Sequence, residues 1–446
     1  MHSAPMTREG RLRSLRAAAA GNALEWFDWT LYGTFSIYLA RNLFETTDPK
    51  SAILSTLAVF AGGFVARPLG GWLFGKLGDR LGRKTTLVIT MLMLAASSVG
   101  IALIPSYDQI GVAASALLLC FRLLQGLAHG GESGVSYTYV AEIAPKERRG
   151  LWSSSVFVSV TIGVMGATAL AAALTSLLGP DAMHTYGWRL GFGVGGLLGL
   201  YALFLRRSAE ETEVFENTRS GAKPAKPLSG YQMFRIGLNI VMIAAASNVA
   251  YYSWVTFAPA TAIARGMDPS GAYKASLLAQ LLCVLWLPVC GWLSDKFGRK
   301  PMVVAWGIGV MAITYPISII VTTEPLTLFL AQGLGLGAWA MLASIFPAIL
   351  SEQVPTQARA QGVGLVSSLS VALFGGTAPY LNTYLSGSGY EHLYTAYVMF
   401  LGLVAVVAGL AIRETAGMDL ADIQAPGSGH ATQSSIQETY NYVQHD

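Results

Sequence analysis

Twelve apolar blocks, each about 20 residues long, follow one another along the chain and are separated by short stretches with charged residues, proline or glycine. A helix of about 20 apolar residues is long enough to cross the roughly 30 Å hydrocarbon core of a bilayer. Only 12% of the 446 residues are charged, whereas an ordinary soluble domain has about 25%. The sequence therefore predicts an all-α membrane protein with twelve transmembrane helices in two six-helix halves.

The short stretches with charged residues, proline or glycine mark the ends of the spans and divide the chain into four larger regions. The predicted spans lie near residues 17–40, 52–76, 85–104, 110–141, 151–178, 188–206, 236–260, 272–295, 302–322, 326–350, 361–386 and 391–413. Residues 1–206 form the N-terminal half and residues 236–413 the C-terminal half. Residues 207–235, rich in charge and proline, are predicted to be a cytoplasmic linker, and residues 414–446 a polar cytoplasmic tail.

The distribution of lysine and arginine orients the chain. Most of these residues lie in the termini and in the even-numbered connections, so the positive-inside rule predicts that both termini are cytoplasmic. The first apolar block is long, carries Glu25 and Asp28, and has no small-residue cleavage site, so it is predicted to be a span and not a signal peptide. The net charge of +4 is then explained by the Lys and Arg residues that orient the chain in the membrane, and no nucleic-acid partner is expected.

Two sequence patterns occur once in each half. The decapeptides Gly75–Lys84 and Gly291–Lys300, which follow the second and eighth spans, are identical at six of ten positions. The pattern Glu-x-x-Pro-x-x-x-Arg occurs at 142–149 and at 352–359, after the fourth and tenth spans. The two halves are therefore predicted to be parallel repeats of one another.

These motifs resemble those of a known family. The glycine-rich loop after the second span resembles the signature of the major facilitator superfamily, and Arg122-x-x-Gln125-Gly126 resembles its helix-4 motif. Three stretches narrow the resemblance to the metabolite:proton symporter family: Gly21-Asn22-x-x-Glu25-Trp26-Phe27-Asp28, Arg67-Pro68-x-Gly70-Gly71, and Gly130-Gly131-Glu132 leading to Glu142-x-x-Pro145. His129 departs from this pattern, because relatives usually have a small or apolar residue there.

The resemblance implies a proton-coupled secondary transporter that imports a small organic acid anion, such as the di- or tricarboxylates 2-oxoglutarate or citrate, by alternating access. The alternatives are an importer of a zwitterionic osmolyte or aromatic acid (betaine, proline or shikimate type), a proton-antiport exporter, and a non-transporting sensor on the same fold. The implied location is a bacterial cytoplasmic (inner) membrane. The implied partners are the small-molecule substrate, protons and the lipid bilayer, with a functional monomer.

Nothing in the sequence indicates an enzyme or an ATP-driven pump. The chain has no P-loop and no paired metal-ligand motif, and Cys120, Cys283 and Cys290 all fall inside apolar blocks. We therefore expect no cofactor, no metal and no disulfide, with the proton gradient as the energy source.

Charged residues inside the predicted spans are concentrated in the N-terminal half. An ionisable group at the bilayer centre costs at least about 2.5–3.5 kcal/mol, so it needs a partner, water or a function. The last six spans have no Asp, Glu, Lys or Arg in their interiors. At 100° per residue, Glu25, Trp29 and Tyr32 share one face of helix 1, and polar residues from Arg122 to Glu132 share one face of helix 4.

These faces predict the candidate site. The predicted substrate-binding residues are Arg122, Gln125, His129, Tyr32, Trp29, Arg67, Asn248, Tyr251 and Tyr252. The predicted proton-coupling residues are Glu25, Asp28, Glu132 and His129. Arg122 is expected to provide the main positive charge for a carboxylate, and Glu132 or Asp28 to carry the proton. The alternative is that the arginines and carboxylates only neutralise one another and fix the helices.

The repeated loops predict a gate formed by Asp79, Arg83, Asp295 and Arg299. The loop glycines allow close helix approach, and each aspartate can accept hydrogen bonds from a helix N-terminus in the opposite half. Such contacts would hold the cytoplasmic side closed.

Overall fold

The computed structural model describes residues 8–45, 49–207, 230–256, 258–354 and 359–420. Across these residues the chain forms helices and turns without a β-strand, which confirms the all-α prediction. Nine helical segments in this part of the chain are long and apolar enough to cross a membrane.

Twelve long helices, labelled α1 to α12, follow the order of the predicted spans through the described residues. The N-terminal half consists of α1 (Arg8–Thr34, continued by Ser36–Leu43), α2 (Pro49–Leu81), α3 (Arg83–Leu103), α4 (Val112–Ile143), α5 (Arg149–Ala182) and α6 (Trp188–Arg207). The C-terminal half consists of α7 (Gly230–Tyr251), α8 (Pro269–Phe297), α9 (Arg299–Ile320), α10 (Pro325–Ala343, continued by Phe346–Gln353), α11 (Arg359–Ser370) and α12 (Glu391–Ala411).

Two of the C-terminal helices are interrupted by π-helical turns. Tyr252–Thr256 follows α7 and leads into a short helix, Ala258–Ala264. Val371–Gly375 follows α11 and leads into Ala378–Gly387. Each composite rod therefore covers one predicted span, although no single α-helix does.

The same helix pairs pack together in both halves. In the N-terminal half α2 packs on α4, α3 on α6, and α1 on α5 and α6. The equivalent contacts in the C-terminal half are α8 on α10, α9 on α12, and α7 on α11 and α12. Between the halves, α2 packs on α11 and α5 packs on α8. The arrangement has the internal pseudo-symmetry that the repeated motifs predict.

Glycines allow the helices to approach closely at these crossings. A Cβ on Gly71 would meet the backbone of Gly364 in α11, and one on Gly75 would meet the backbone of Gln361. In the equivalent contact between α5 and α8, a Cβ on Gly291 would meet the backbone of Gly150. The signature glycines therefore bring together helices of opposite halves, as small residues do at membrane helix interfaces.

Several predicted boundaries differ from the structure, among them those of the linker and the tail. Helix α7 begins at Gly230 and not near residue 236, because the apolar residues Tyr231, Met233 and Phe234 extend it. The predicted tail contains a packed segment, since its residue Leu420 is buried. Residues 208–229 of the predicted linker and 421–446 of the tail lie outside the described residues.

Candidate substrate site and gate

A small cavity of about 60 Å³ lies between the two halves. Its N-terminal wall consists of Trp26, Arg67, His129, Ser133, Tyr137, Phe157 and Val160. Its C-terminal wall consists of Ala244, Ser247, Asn248, Tyr251, Tyr252, Trp339, Phe346, Ser367, Ser368 and Val371. Five predicted substrate-site residues, Arg67, His129, Asn248, Tyr251 and Tyr252, are in these walls.

Arg67 is a buried cation in the cavity wall, with 2% of its surface exposed. Its guanidinium carbon lies 3.9 Å from the centre of the Trp29 ring and 4.5 Å from that of Phe64. Its Nε and Nη2 have no hydrogen-bond partner among the described residues. A buried guanidinium with unpaired donors is unfavourable unless an anion or another acceptor binds it. Arg67 is therefore the best-placed group in the cavity for a carboxylate.

His129 and Glu25 form a buried pair beside Arg67. Nδ1 of His129 lies 2.8 Å from Oε1 of Glu25. The imidazole is also packed against Trp26 and Trp29, with ring centres 5.2 and 5.0 Å away. Glu25 and Arg67 attract each other electrostatically. A histidine and a carboxylate in contact can share or exchange a proton, so this pair can link protonation to the charge state of Arg67.

Arg122 lies behind the cavity wall and not in it. Its guanidinium carbon is 4.1 Å from the ring centres of Trp29 and Tyr32, and its Nη1 donates to Oε1 of Gln125 at 2.9 Å. The Gln125 amide in turn donates to Asp28. Trp29 contacts both guanidiniums and lies between Arg122 and the cavity, so Arg122 makes no wall of the cavity but still acts electrostatically on His129 and Arg67. The structure therefore places the predicted substrate residues Arg122, Gln125, Trp29 and Tyr32 outside the walls of this cavity, and their direct contact with substrate stays a prediction.

The two leading proton-coupling candidates are also remote from the cavity. Asp28 accepts hydrogen bonds from Ser98 in α3 and from Gln125 in α4. Oε2 of Glu132 accepts a hydrogen bond of 2.8 Å from Thr90 in α3. Both carboxylates are therefore bonded to α3 inside the N-terminal half, because their positions on α1 and α4 turn them away from the C-terminal half.

The C-terminal wall supplies aromatic rings and neutral hydrogen-bonding groups. The Tyr251 ring lies 5.1 Å from Trp339 and 5.8 Å from Trp26, centre to centre. The Asn248 amide donates to Ser370 at 3.0 Å. The Tyr252 ring also meets Phe64 of the N-terminal half, with ring centres 6.0 Å apart. The substrate-site prediction did not include Trp26, although it lies in the helix-1 motif.

The two repeated loops lie at one end of the bundle, which we call the signature end. Oδ1 and Oδ2 of Asp79 accept hydrogen bonds from the backbone amides of Ala360 and Gln361, at 3.2 and 2.9 Å. Oδ1 and Oδ2 of Asp295 accept from Gly150 and Leu151, at 2.7 and 2.8 Å. Each aspartate thus caps the N-terminus of a helix in the opposite half, where the helix dipole favours negative charge.

A second set of contacts explains the repeated Glu-x-x-Pro-x-x-x-Arg pattern. Glu142 binds Arg83 of its own half at 3.2 Å and Arg359 of the other half at 3.1 Å. Glu352 in turn binds Arg299 of its own half at 3.2 Å and Arg149 of the other half at 2.8 Å. The glutamate of each pattern therefore pairs with the arginine of the other copy.

The loop arginines also bind the loop aspartates. Arg83 lies 3.1 Å from Asp79, and Arg299 lies 2.8 Å from Asp295. Gly82 and Gly298, just before these arginines, have φ angles of 102° and 106°, which favour glycine. We refer to Asp79, Asp295 and the surrounding arginine and glutamate pairs as the latch. It joins the two halves and closes the signature end.

The segment after α12 packs against the latch. Glu414 accepts hydrogen bonds from the amides of Arg299 and Lys300 at 2.9 and 3.0 Å, at the start of α9. Carbonyls of Met418 and Leu420 accept bonds from the latch arginines, at 3.1 and 3.0 Å. Partial burial raises the pKa of the Glu414 carboxyl, but hydrogen bonds from backbone amides lower it by more, so its pKa lies below the ordinary value.

The chain matches known transporters over most of its length. The sequence profile described as Major Facilitator Superfamily matches residues 18–370 and, in a second match, 275–427. The alpha-ketoglutarate permease of Escherichia coli is 34% identical over 415 residues, which cover 92% of this chain and 96% of that protein. The citrate-proton symporter of Klebsiella pneumoniae is 33% identical over 386 residues, 84% and 85% of the two chains.

A third relative is named for zwitterionic solutes, and a solved structure shares the fold. The glycine betaine/proline/ectoine/pipecolic acid transporter of Dickeya dadantii is 32% identical over 460 residues, covering 98% of this chain and 90% of that protein. A proton:xylose symporter bound to 6-bromo-6-deoxy-D-glucose superimposes with a TM-score of 0.77 at 16% identity, covering 93% and 98% of the two chains.

These matches place the protein among multi-pass membrane transporters and not among enzymes. The chain belongs to the major facilitator superfamily and has its fold, and its relatives match the metabolite:proton symporter resemblance seen in the sequence motifs.

Proposed function

We propose that this protein is a proton-coupled secondary transporter that imports a small solute with a carboxylate group by alternating access. The observation that carries the proposal is the buried Arg67 guanidinium, which has unpaired donors in the cavity between the halves and lies beside the Glu25–His129 pair. The names of the relatives, which include a permease, a symporter and a glycine betaine/proline/ectoine/pipecolic acid transporter, support transport of a small polar solute.

Substrate and proton binding are coupled through Arg67 in this proposal. Without substrate, Arg67 attracts Glu25 and so favours its anionic form. A substrate carboxylate that binds Arg67 replaces that attraction with its own negative charge. A proton can then bind between Glu25 and His129, which are 2.8 Å apart. Substrate and proton therefore bind cooperatively, and release of one favours release of the other.

Alternating access requires the latch to open while the opposite side closes. The positive-inside pattern makes the signature end cytoplasmic in this proposal, with both termini on that side of a bacterial inner membrane. The structure is then closed toward the cytoplasm. The transporter acts as a monomer, uses the proton gradient as its energy source and needs no cofactor.

The test uses purified protein in proteoliposomes with radiolabelled 2-oxoglutarate and radiolabelled glycine betaine, each assayed separately. Exchange of internal for external solute needs no net proton movement, whereas accumulation on an imposed pH gradient does. We expect Glu25→Gln to lose accumulation and keep exchange, and the matched controls Asp28→Asn and Glu132→Gln to keep both. The proposal fails if Glu25→Gln still accumulates solute, and accumulation only on a reversed gradient would indicate a proton-antiport exporter.

A further inference from the structure

The cavity has a single fixed positive charge among the described residues. Of the side chains in its wall, Arg67 is the only Lys, Arg, Asp or Glu. The second guanidinium nearby, that of Arg122, is separated from the cavity by Trp29 and already donates to Gln125 at 2.9 Å. The cavity can therefore neutralise one carboxylate of a bound solute but not two.

Much of the remaining wall is aromatic, and the rest includes His129, Asn248 and four serines. The wall's aromatic residues are Trp26, Tyr137, Phe157, Tyr251, Tyr252, Trp339 and Phe346. Neighbouring rings meet at varied angles: Trp26 is inclined 78° to Tyr251 and Phe157 84° to Trp339, whereas Tyr251 is inclined 37° to Trp339. Rings set at such angles can surround a rounded group with several aromatic faces or edges.

This wall distinguishes between anionic and cationic groups. The face of an aromatic ring carries negative electrostatic potential, so it repels a carboxylate and attracts an ammonium group. A second carboxylate would find neutral hydrogen-bond donors, Asn248 and the wall serines, but no second counter-charge, so its burial is unfavourable. A quaternary ammonium group loses less on dehydration than a protonated amine, because it donates no hydrogen bonds, and it gains cation–π attraction.

We propose that the substrate is a compact betaine-type zwitterion, with one carboxylate on Arg67 and an alkylated ammonium group against the aromatic wall. This inference rests on the proposed transport function and selects among its possible substrates. It departs from the di- or tricarboxylate expected from the sequence. The small cavity, about 60 Å³, also suits a compact solute, because a single water molecule needs roughly 10–15 Å³ of such space.

The first experiment measures binding to the purified protein by isothermal titration calorimetry. The probes are glycine betaine, its carbon isostere 3,3-dimethylbutyrate, 2-oxoglutarate and citrate. The isostere has the same shape and carboxylate as betaine but no positive charge. We expect betaine to bind about tenfold more tightly than the isostere, and more tightly than either polycarboxylate. Equal binding of betaine and its isostere, or tighter binding of 2-oxoglutarate or citrate, would overturn the inference.

The second experiment tests the aromatic wall. Trp339→Leu and the milder Trp339→Phe should both weaken betaine binding, Leu by about tenfold, and should change binding of the isostere much less. The matched control is Trp292→Leu, because Trp292 is 49% exposed on the outer surface of α8. If Trp339→Leu does not fold, the result with Trp339→Phe decides the test. Equal weakening of betaine and isostere binding in Trp339→Phe would contradict the cation–π contact.

Proton-driven accumulation of 2-oxoglutarate but not betaine would refute this inference and leave the transport proposal intact.

Discussion

Neutralising Asp79 tests whether the latch holds the signature end closed. Its carboxylate accepts two amide hydrogen bonds from the start of α11 and an ion pair from Arg83, with only 8% of the side chain exposed. Asp79→Asn keeps the size of the side chain and one acceptor oxygen. It removes the negative charge and replaces the second acceptor with a donor, which faces a backbone amide that is also a donor.

The expected effect follows from the strength of hydrogen bonds to charged groups. Such bonds contribute about 1.5–3 kcal/mol each, and the loss of one of them is the main change in Asp79→Asn. A destabilisation of about 2 kcal/mol shifts the closed-to-open equilibrium by roughly 30-fold. If the parent protein is open at this end in about 1% of molecules, the variant should be open in about a quarter.

Cysteine labelling measures this shift directly. Val363 is fully buried beneath the latch, so Val363→Cys in a background without the native cysteines reports opening of the signature end. We expect Asp79→Asn to increase the labelling rate by roughly 20- to 30-fold, and Asp295→Asn to have a similar effect because its contacts are equivalent. The control is Asp108→Asn, an exposed aspartate outside the latch. Unchanged labelling in both latch variants would refute the latch.

Three further predictions concern helix packing, the Arg122 guanidinium and the pH dependence of the latch. Gly130→Ala should destabilise the protein by about 1–3 kcal/mol in thermal unfolding, because its Cβ would meet the backbone of Arg67, whereas Gly193→Ala, with open space around its Cβ, should not. Arg122→Lys should slow uptake about tenfold or more, since an ammonium cannot replace the stacked guanidinium. The pKa of Glu414 is lower in the folded protein than its ordinary value of 4.5. The charged Glu414 carboxylate therefore stabilises the folded state above pH 4.5, and this stabilisation is lost as the pH falls through the lower folded pKa. Latch labelling should therefore rise more in acid in the parent than in Glu414→Gln, which keeps only the rise caused by the other latch carboxylates.

The fold could be predicted because each span is specified by its own residues. Length and apolarity define a membrane helix locally, and the repeated loops show how the halves are related. The π-helical turns at Tyr252–Thr256 and Val371–Gly375 could not be predicted, because nothing in their local composition distinguishes them from the adjoining helices.

The site was predicted less completely, for a physical reason. Helical periodicity shows that Arg122, Gln125 and Glu132 share a face of α4, but not which neighbouring helix covers that face. Trp29 separates Arg122 from the cavity, and this depends on the packing of α1 on α4. The pairing of Glu142 with Arg359 likewise needs both halves together. In the sequence, this pairing is indicated by the Glu-x-x-Pro-x-x-x-Arg pattern that occurs in both halves.

The central claim is that a carboxylate bound by Arg67 allows the Glu25–His129 pair to take up a proton. The most direct measurement is proton uptake on substrate binding, followed with a pH indicator in weakly buffered detergent solution. Glycine betaine and 2-oxoglutarate are added separately to the parent protein and to Glu25→Gln. The account predicts uptake of about one proton per bound solute in the parent and none in Glu25→Gln. Binding without proton uptake in the parent, or equal uptake in both proteins, would contradict it.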